Sequence, residues 1–134
     1  MIDHTGIDVS DFEASRNFYL AALAPLGYAV RKEGERAVGF GAEDPAAGAD
    51  PHGDFWIAQG QPSEPRIHLA FRARNPQEVD AFYHAALAAG GRDNGAPGLR
   101  PKYHDKYYAA FVYDPDGYNI EAVYHGGLQG RGPA

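Results

Sequence analysis

Between Ile2 and Val9 apolar and polar residues alternate, as in a strand with one buried face. Ile7 and Val9 share that face, while His4 and Gly6 are placed differently along it, which accommodates a bulge or twist near Thr5. The period then lengthens. From Asp11 to Ala24 the residues Phe12, Tyr19 and Leu23 recur on one helical face, which Leu26 continues into the closing turn. Ser10, three residues before Glu13, predicts a capping box at the start of this helix, and Pro25 with Gly27 predicts its end. Three short strands follow near 28–33, 36–41 and 54–59. The same succession then begins again. In 66–73, Ile67, Leu69 and Phe71 form an apolar face while Arg66, His68, Ala70 and Arg72 point the other way. Asn75 suits an N-cap, Pro76 the first helical position and Glu78 the first turn, and the helix is expected to end at Gly90-Gly91. A Gly/Pro-rich stretch reads as a loop. Beyond it, 107–113 and 118–124 read as a hairpin around Asp114-Pro115-Asp116-Gly117.

The recurrence is an internal repeat. A shift of 64 positions lays Phe18-Tyr19-Leu20-Ala21-Ala22-Leu23-Ala24 on Phe82-Tyr83-His84-Ala85-Ala86-Leu87-Ala88, with six of the seven pairs identical. The same shift lays His4 on His68, Gly27 on Gly91, and Asp50-Pro51-His52-Gly53 on Asp114-Pro115-Asp116-Gly117. One offset linking a strand residue, a helix and a turn is more than alanine-rich composition produces. The pattern predicts an α+β domain of two βαβββ modules, about 1–60 and 65–126, with curved mixed sheets around a central cleft and a flexible tail at 127–134. Helices cover one face of each sheet, so the residues on the other face carry the chemistry.

That face draws attention to three side chains. His4 and His68 are equivalent in the repeat, and pseudo-symmetry predicts that they meet at the cleft. Glu121 alternates with Asn119 and Val123 on the last strand, opposite Ile120, Ala122 and Tyr124. A lone strand histidine is more often a hydrogen-bonded structural residue than a ligand. Two related by a repeat, with a carboxylate set in an apolar strand, favour a divalent cation held by two imidazoles and one carboxylate with coordination positions left open.

Composition narrows the choices. The 134 residues suffice for one domain, and 44% hydrophobic residues can build its core. There is no cysteine, which removes disulfides, thiolate ligands and a cysteine nucleophile, and leaves imidazole and carboxylate as metal donors. Twelve basic and 18 acidic residues give a net charge of −6 without any basic run, which argues against nucleic acid or anionic membrane as a partner. The stretch Asn17 to Val30 is too short for a membrane span, strand-like sequence from Ile2 leaves no room for a signal peptide, and a cytoplasmic location is expected.

From Asp3-His4 through Ser10-Asp11-Phe12-Glu13-Ala14-Ser15 and Phe18-Tyr19 to Asp114-Pro115-Asp116-Gly117-Tyr118-Asn119-Ile120-Glu121, the chain resembles the vicinal oxygen chelate superfamily. That superfamily includes glyoxalase I, extradiol dioxygenases, fosfomycin-resistance thiol transferases and bleomycin-binding proteins. The resemblance implies paired βαβββ modules around a metal that binds vicinal oxygens of a small substrate, with His4, His68 and Glu121 at ligand positions. It also implies a homodimer, with modules paired within a chain or between chains. Departures are specific. Glyoxalase I-like sites use four protein ligands, whereas the 64-residue shift pairs Glu121 with Ile57, and only a two-residue slip would offer Gln59. Phe111 stands ten residues before Glu121, where extradiol dioxygenases commonly carry a tyrosine, and the potassium- and phosphonate-binding features of fosfomycin enzymes have no clear counterpart.

Arg100-Pro101-Lys102-Tyr103-His104-Asp105-Lys106-Tyr107-Tyr108 is dense in groups that bind or transfer protons. His104 is the candidate acid/base, Tyr107 or Tyr103 a donor to a bound oxyanion, and Tyr103 and Phe111 candidate substrate contacts, against packing at a dimer interface or sheet edge. Tyr108 alternates toward the helix. Arg66 and Arg72 share the His68 face, and Trp56 reads as a core or interface anchor. The leading expectation is a metal-dependent lyase/isomerase or dioxygenase using Fe, Mn, Zn or Ni. The alternative is a metal-free binding protein for a small, antibiotic-like molecule, and the third a dimerisation or regulatory unit.

Overall fold

The computed structural model describes residues 1–45 and 48–128, so the expected tail lies outside the described residues from position 129 onward. The chain forms β1 (Thr5–Val9), α1 (Phe12–Leu23), a short 3-10 turn (Ala24–Leu26), β2 (Tyr28–Glu33), β3 (Ala37–Ala42) and β4 (Phe55–Gln59). The succession recurs as β5 (His68–Arg72), α2 (Pro76–Ala88), β6 (Arg92–Leu99), β7 (Tyr108–Tyr113) and β8 (Asn119–Tyr124). Two four-stranded mixed sheets result, ordered β1-β4-β3-β2 and β5-β8-β7-β6, with β1–β4 and β5–β8 parallel. This is the paired βαβββ architecture that the repeat predicts.

Local rules account for most boundaries. Asn75 caps α2 by accepting the Glu78 amide, and Pro76 opens the helix where no amide hydrogen is needed. Gly27 takes the left-handed conformation (φ 84°) that closes the turn after α1. Two expectations need correcting. The cap of α1 is Asp11, which accepts the Ala14 amide, while Ser10 is drawn across the molecule to the Asp116 carboxylate. The Gly/Pro-rich stretch is largely the edge strand β6, whose register to β7 slips between Asp93 and Gly95 and again between Gly95 and Gly98. Edge position and bulges let Gly95, Pro97 and Gly98 sit in a ladder that an interior strand would refuse them.

Both helices share one core. The helix α1 packs on α2, β2 and β4, and α2 packs on β6, β7 and β8. Phe18, Tyr19, Phe40, Phe55, Phe82 and Ile120 are wholly or almost wholly buried there. Phe71 of the second module meets Tyr28 and Phe55 of the first edge to face, at 5.8 and 5.2 Å between centroids. Each such pair adds roughly 0.5–1.5 kcal/mol beyond area burial. Polar ties reinforce this seam. The Tyr19 hydroxyl donates to the buried Asp114 carboxylate at 2.5 Å, and the Tyr118 hydroxyl donates to the Asp8 carbonyl and accepts the Ser63 amide. With the helices on the core side, each sheet turns its other face outward: Gly6 and Asp8 on β1, and His68, Ala70 and Arg72 on β5.

Candidate functional site

On the second sheet, strand alternation decides which side chains reach the open face. Leu69, Phe71, Ile120 and Ala122 face the core, so His68, Asn119 and Glu121 face outward, and β7 adds Ala109 and Phe111 beside them. His68 is about half exposed, yet Glu121 is only 2% exposed. The His68 Nδ1 lies 2.9 Å from the Asn119 carbonyl and its Nε2 2.9 Å from Glu121 Oε1. A carbonyl only accepts, so Nδ1 carries the hydrogen. In the neutral imidazole, Nε2 then directs a lone pair at a carboxylate oxygen, and two acceptors face one another. Either a proton or a cation has to lie between them. The second carboxylate oxygen accepts a hydrogen bond from the Tyr107 hydroxyl. Burial, then the hydrogen bond to Glu121 and its negative charge, push the Tyr107 pKa up, so the phenol stays protonated as a donor at neutral pH.

The same logic holds at the repeat-related histidine. His4 donates from Nδ1 to Asp3 Oδ1 at 2.7 Å, which leaves Nε2 as the outward ligand atom. That hydrogen bond, with the charges of Asp3 and Asp50, raises the pKa of this exposed imidazole. Among the described residues, the one group of three metal-capable side chains with ligand atoms within 4.8 Å of one another is Asp3, His4 and Asp50. His4 is therefore gathered with two carboxylates and His68 with Glu121, and a single chain does not bring the three expected ligands into one such cluster.

The strand register also replaces a sequence-based pairing. Gly6 pairs with Trp56 on β4, and its repeat equivalent Ala70 pairs with Glu121 on β8. Trp56 thus occupies the position of Glu121, and Ile57 lies in the core with no exposure. One residue fewer between turn and strand in the first module shifts the equivalence from 64 to 65. A Cβ on Gly39 would fall 2.7 Å from the Trp56 indole and 2.3 Å from the His52 carbonyl, so the ring lies across a glycine on the open face of the first sheet. Gln59 is not available as a ligand: it accepts the Phe12 amide and donates to the Ser10 carbonyl, holding the start of α1.

The segment before β7 wraps the edge of the His68–Glu121 face. A recess of about 240 Å3 opens there, lined by Asn94, Arg100, Lys102, Tyr103, Phe111 and Asn119 among others. Phe111 stacks on His68 at 6.2 Å between centroids, and Tyr103 lies 4.7 Å from the Tyr107 ring. His104 does not reach Glu121. Its Nδ1 accepts the Lys106 amide, so in the neutral ring Nε2 carries the hydrogen and donates to His125 at 2.9 Å, and both imidazoles pack edge-on against Tyr107. Tyr108 points into the core and donates to Asp80 of α2. Arg66 is held by the Asp116 and Ser63 carbonyls and Glu64. The sequence carried no signal for Asp50 beside Asp3 and His4, because its approach depends on the loop before β4.

Comparison with known proteins agrees with the fold. The family model of the Glyoxalase/Bleomycin resistance protein/Dioxygenase superfamily matches residues 1–122. A glyoxalase/bleomycin resistance protein from Albidiferax ferrireducens T118 is 30% identical, covers 91% of this chain and 96% of its own, and superposes with a TM-score of 0.72. A glyoxalase-related enzyme from Fulvimarina pelagi (20% identity, 92% and 87% coverage, TM-score 0.68) shares the fold. So does a family enzyme from Burkholderia phytofirmans PsJN (18%, 92% and 98%, TM-score 0.67). Among curated proteins, none matches the chain. No helix among the described residues is long and apolar enough to cross a membrane.

Proposed function

Because the chain belongs to the Glyoxalase/Bleomycin resistance protein/Dioxygenase superfamily, we propose that it is a divalent-metal-dependent enzyme whose cation is held by His68 and Glu121 of one chain and His4 of a second copy. The observation that carries this reading is the pair of facing acceptors, His68 Nε2 and Glu121 Oε1, 2.9 Å apart with the carboxylate buried. The donor set, two neutral imidazoles and a carboxylate, suits Fe, Mn, Zn or Ni. In both histidines Nδ1–H is tied to an acceptor, which orients Nε2 as a ligand atom. His4 comes from a second copy in this reading because within one chain it is gathered with Asp3 and Asp50 instead.

A cation held there would act as a Lewis acid toward two neighbouring oxygens of a small organic substrate, in lyase/isomerase or dioxygenase chemistry. The chain's own residues have separate tasks. Tyr107 holds the Glu121 carboxylate in place through its hydroxyl, and the His104–His125 pair braces the Tyr107 ring, which makes His104 a positioning residue rather than a proton carrier at the substrate. Phe111 and Tyr103 wall the recess beside His68.

Metal analysis of protein purified without added metal, wild type beside His68→Ala and Glu121→Gln, tests the reading. Stoichiometric metal in the wild type and its loss in both variants is the expected result. Wild-type protein that binds no divalent cation, or variants that retain it, would overturn the proposal in favour of a metal-free binding protein in which His68 and Glu121 form an ion pair.

A further inference from the structure

We propose that the recess beside His68 is an oxyanion site, in which Arg100 and Lys102 bind a carboxylate or phosphoryl group of the substrate; this deepens the function proposed above and rests on it for the identification of the bound molecule as substrate. The first observation is electrostatic. The chain carries a net charge of −6, yet among the described residues the recess is lined by two cations and by no carboxylate. The Arg100 guanidinium donates from Nη1 to the Gly98 carbonyl at 2.9 Å and from Nη2 to the Ala96 carbonyl at 2.7 Å. These acceptors fix its position without cancelling its charge, and the ion pairs of the described arginines involve Arg16, Arg66 and Arg74, not Arg100. Three of its five N–H donors remain for a ligand.

The second observation is that the guanidinium has a built seat. A Cβ on Gly95 would fall 3.1 Å from Arg100 Nη2, and one on Gly98 would fall 3.2 Å from Nη1, so two glycines of β6 make room for the group. Its other side lies over the Phe111 ring at 5.4 Å. Lys102 is placed alongside, with Nζ 5.1 Å from the centre of the Tyr103 ring. Asn94 donates to Asn119 Oδ1 at 3.1 Å, which leaves the Asn119 amide hydrogens as further donors in the recess. A fixed guanidinium beside a second cation and amide donors is suited to an oxyanion, since charge-assisted hydrogen bonds are the strong ones.

The third observation is placement. Phe111 is a common neighbour of Arg100 and His68: its ring centre lies 5.4 Å from the guanidinium carbon and 6.2 Å from the centre of the imidazole, to which it is inclined by 28°. One small molecule that runs past the Phe111 ring can therefore have its anionic end at Arg100 and its reacting oxygens at His68 and Glu121. The chemical class that fits is a small organic acid or phosphoryl compound that also carries oxygens able to reach the cation.

The test uses metal-free protein at low ionic strength. Inorganic phosphate and malonate are titrated separately while the backbone amide signals of Gly95, Tyr103 and Phe111 are followed by NMR, with uncharged glycerol as control. Saturable shifts with at least one anion and none with glycerol are expected, the better anion telling phosphoryl from carboxylate. Arg100→Gln should weaken binding about tenfold. Lys102→Met, which removes no side-chain hydrogen bond among the described residues, should weaken it several-fold, and added salt should weaken it too. The proposal is overturned if neither anion saturates, or if both variants bind as the wild type does. The readout needs no metal, so failure here leaves the metal assignment standing, and a failed metal assignment leaves the anion site standing.

Discussion

Tyr19→Phe removes one hydroxyl from the seam between the modules and leaves the volume of the core unchanged. Tyr19 is fully buried and Asp114 is 1% exposed. The variant therefore strips a buried carboxylate oxygen of its donor, leaving it only the amides of Asp116 and Tyr118 on the other oxygen. A hydrogen bond to a charged group is worth about 1.5–3 kcal/mol. With an unfolding entropy of about 2.1 cal/mol/K per residue over 134 residues, a loss of about 2 kcal/mol lowers Tm by about 7 °C. The pH dependence makes the test specific. Burial raises the Asp114 pKa above its unfolded value, while the bonds from Tyr19 and the two amides oppose the rise. The folded chain therefore takes up a proton as pH falls through the folded pKa, while the unfolded chain is still deprotonated, and acidification relieves the cost of the buried charge. In Tyr19→Phe the folded pKa is higher still, so relief begins at a higher pH. The deficit of the variant is thus full at neutral pH, shrinks between the two folded pKa values, and falls below them to that of a neutral hydrogen bond, about 0.5–1.5 kcal/mol. Urea unfolding of both proteins from pH 7.5 downward measures it. A deficit under about 0.5 kcal/mol at neutral pH, or one that stays constant to acid, would refute the reasoning.

Other outcomes follow from the same structure. Asn75→Ala should cost about 1 kcal/mol by leaving the Glu78 amide without its cap, read as a drop in the urea midpoint with unchanged slope. Gly39→Ala should unfold or severely destabilise the chain, because its Cβ would meet a backbone carbonyl at 2.3 Å, and soluble protein with wild-type Tm would contradict this. Trp56 is the only tryptophan and lies on the open face of the first sheet, so covering of that face by a second copy should shift its emission to the blue as concentration rises. Emission that is constant over the range in which sedimentation detects dimer would show that the second copy binds elsewhere.

How much of this was legible in the sequence depended on whether local rules governed the element. The helices, the hairpin before β8 and the outward alternation of His68 and Glu121 follow from periodicity, and tertiary packing agrees with them. Ser10 was misread because a capping box competes with a distant acceptor, and Asp116 won. The strand β6 was misread because bulges at an edge tolerate glycine and proline that interior pairing excludes. The Trp56–Glu121 equivalence was missed because a constant shift of 64 cannot register a single residue lost between turn and strand, while backbone pairing does so directly. The approach of Asp50 to the neighbouring Asp3 and His4 depends on a loop folding back, which no local pattern encodes.

That one-residue offset bears on engineering of the two modules. In a strand, slipping by one position exchanges every inward side chain for an outward one. Because Ile57 anchors the buried face of β4, the strand does not slip, and an insertion before β4 would only lengthen the loop to that of the second module, leaving the indole outward and gaining no ligand. The mirror-image acid of the first half can be installed only by exchange at Trp56 itself, beside glycines that already leave the space. The two halves have diverged in loop length while keeping a common outward lattice, and position 56 is where a designer would reintroduce their symmetry.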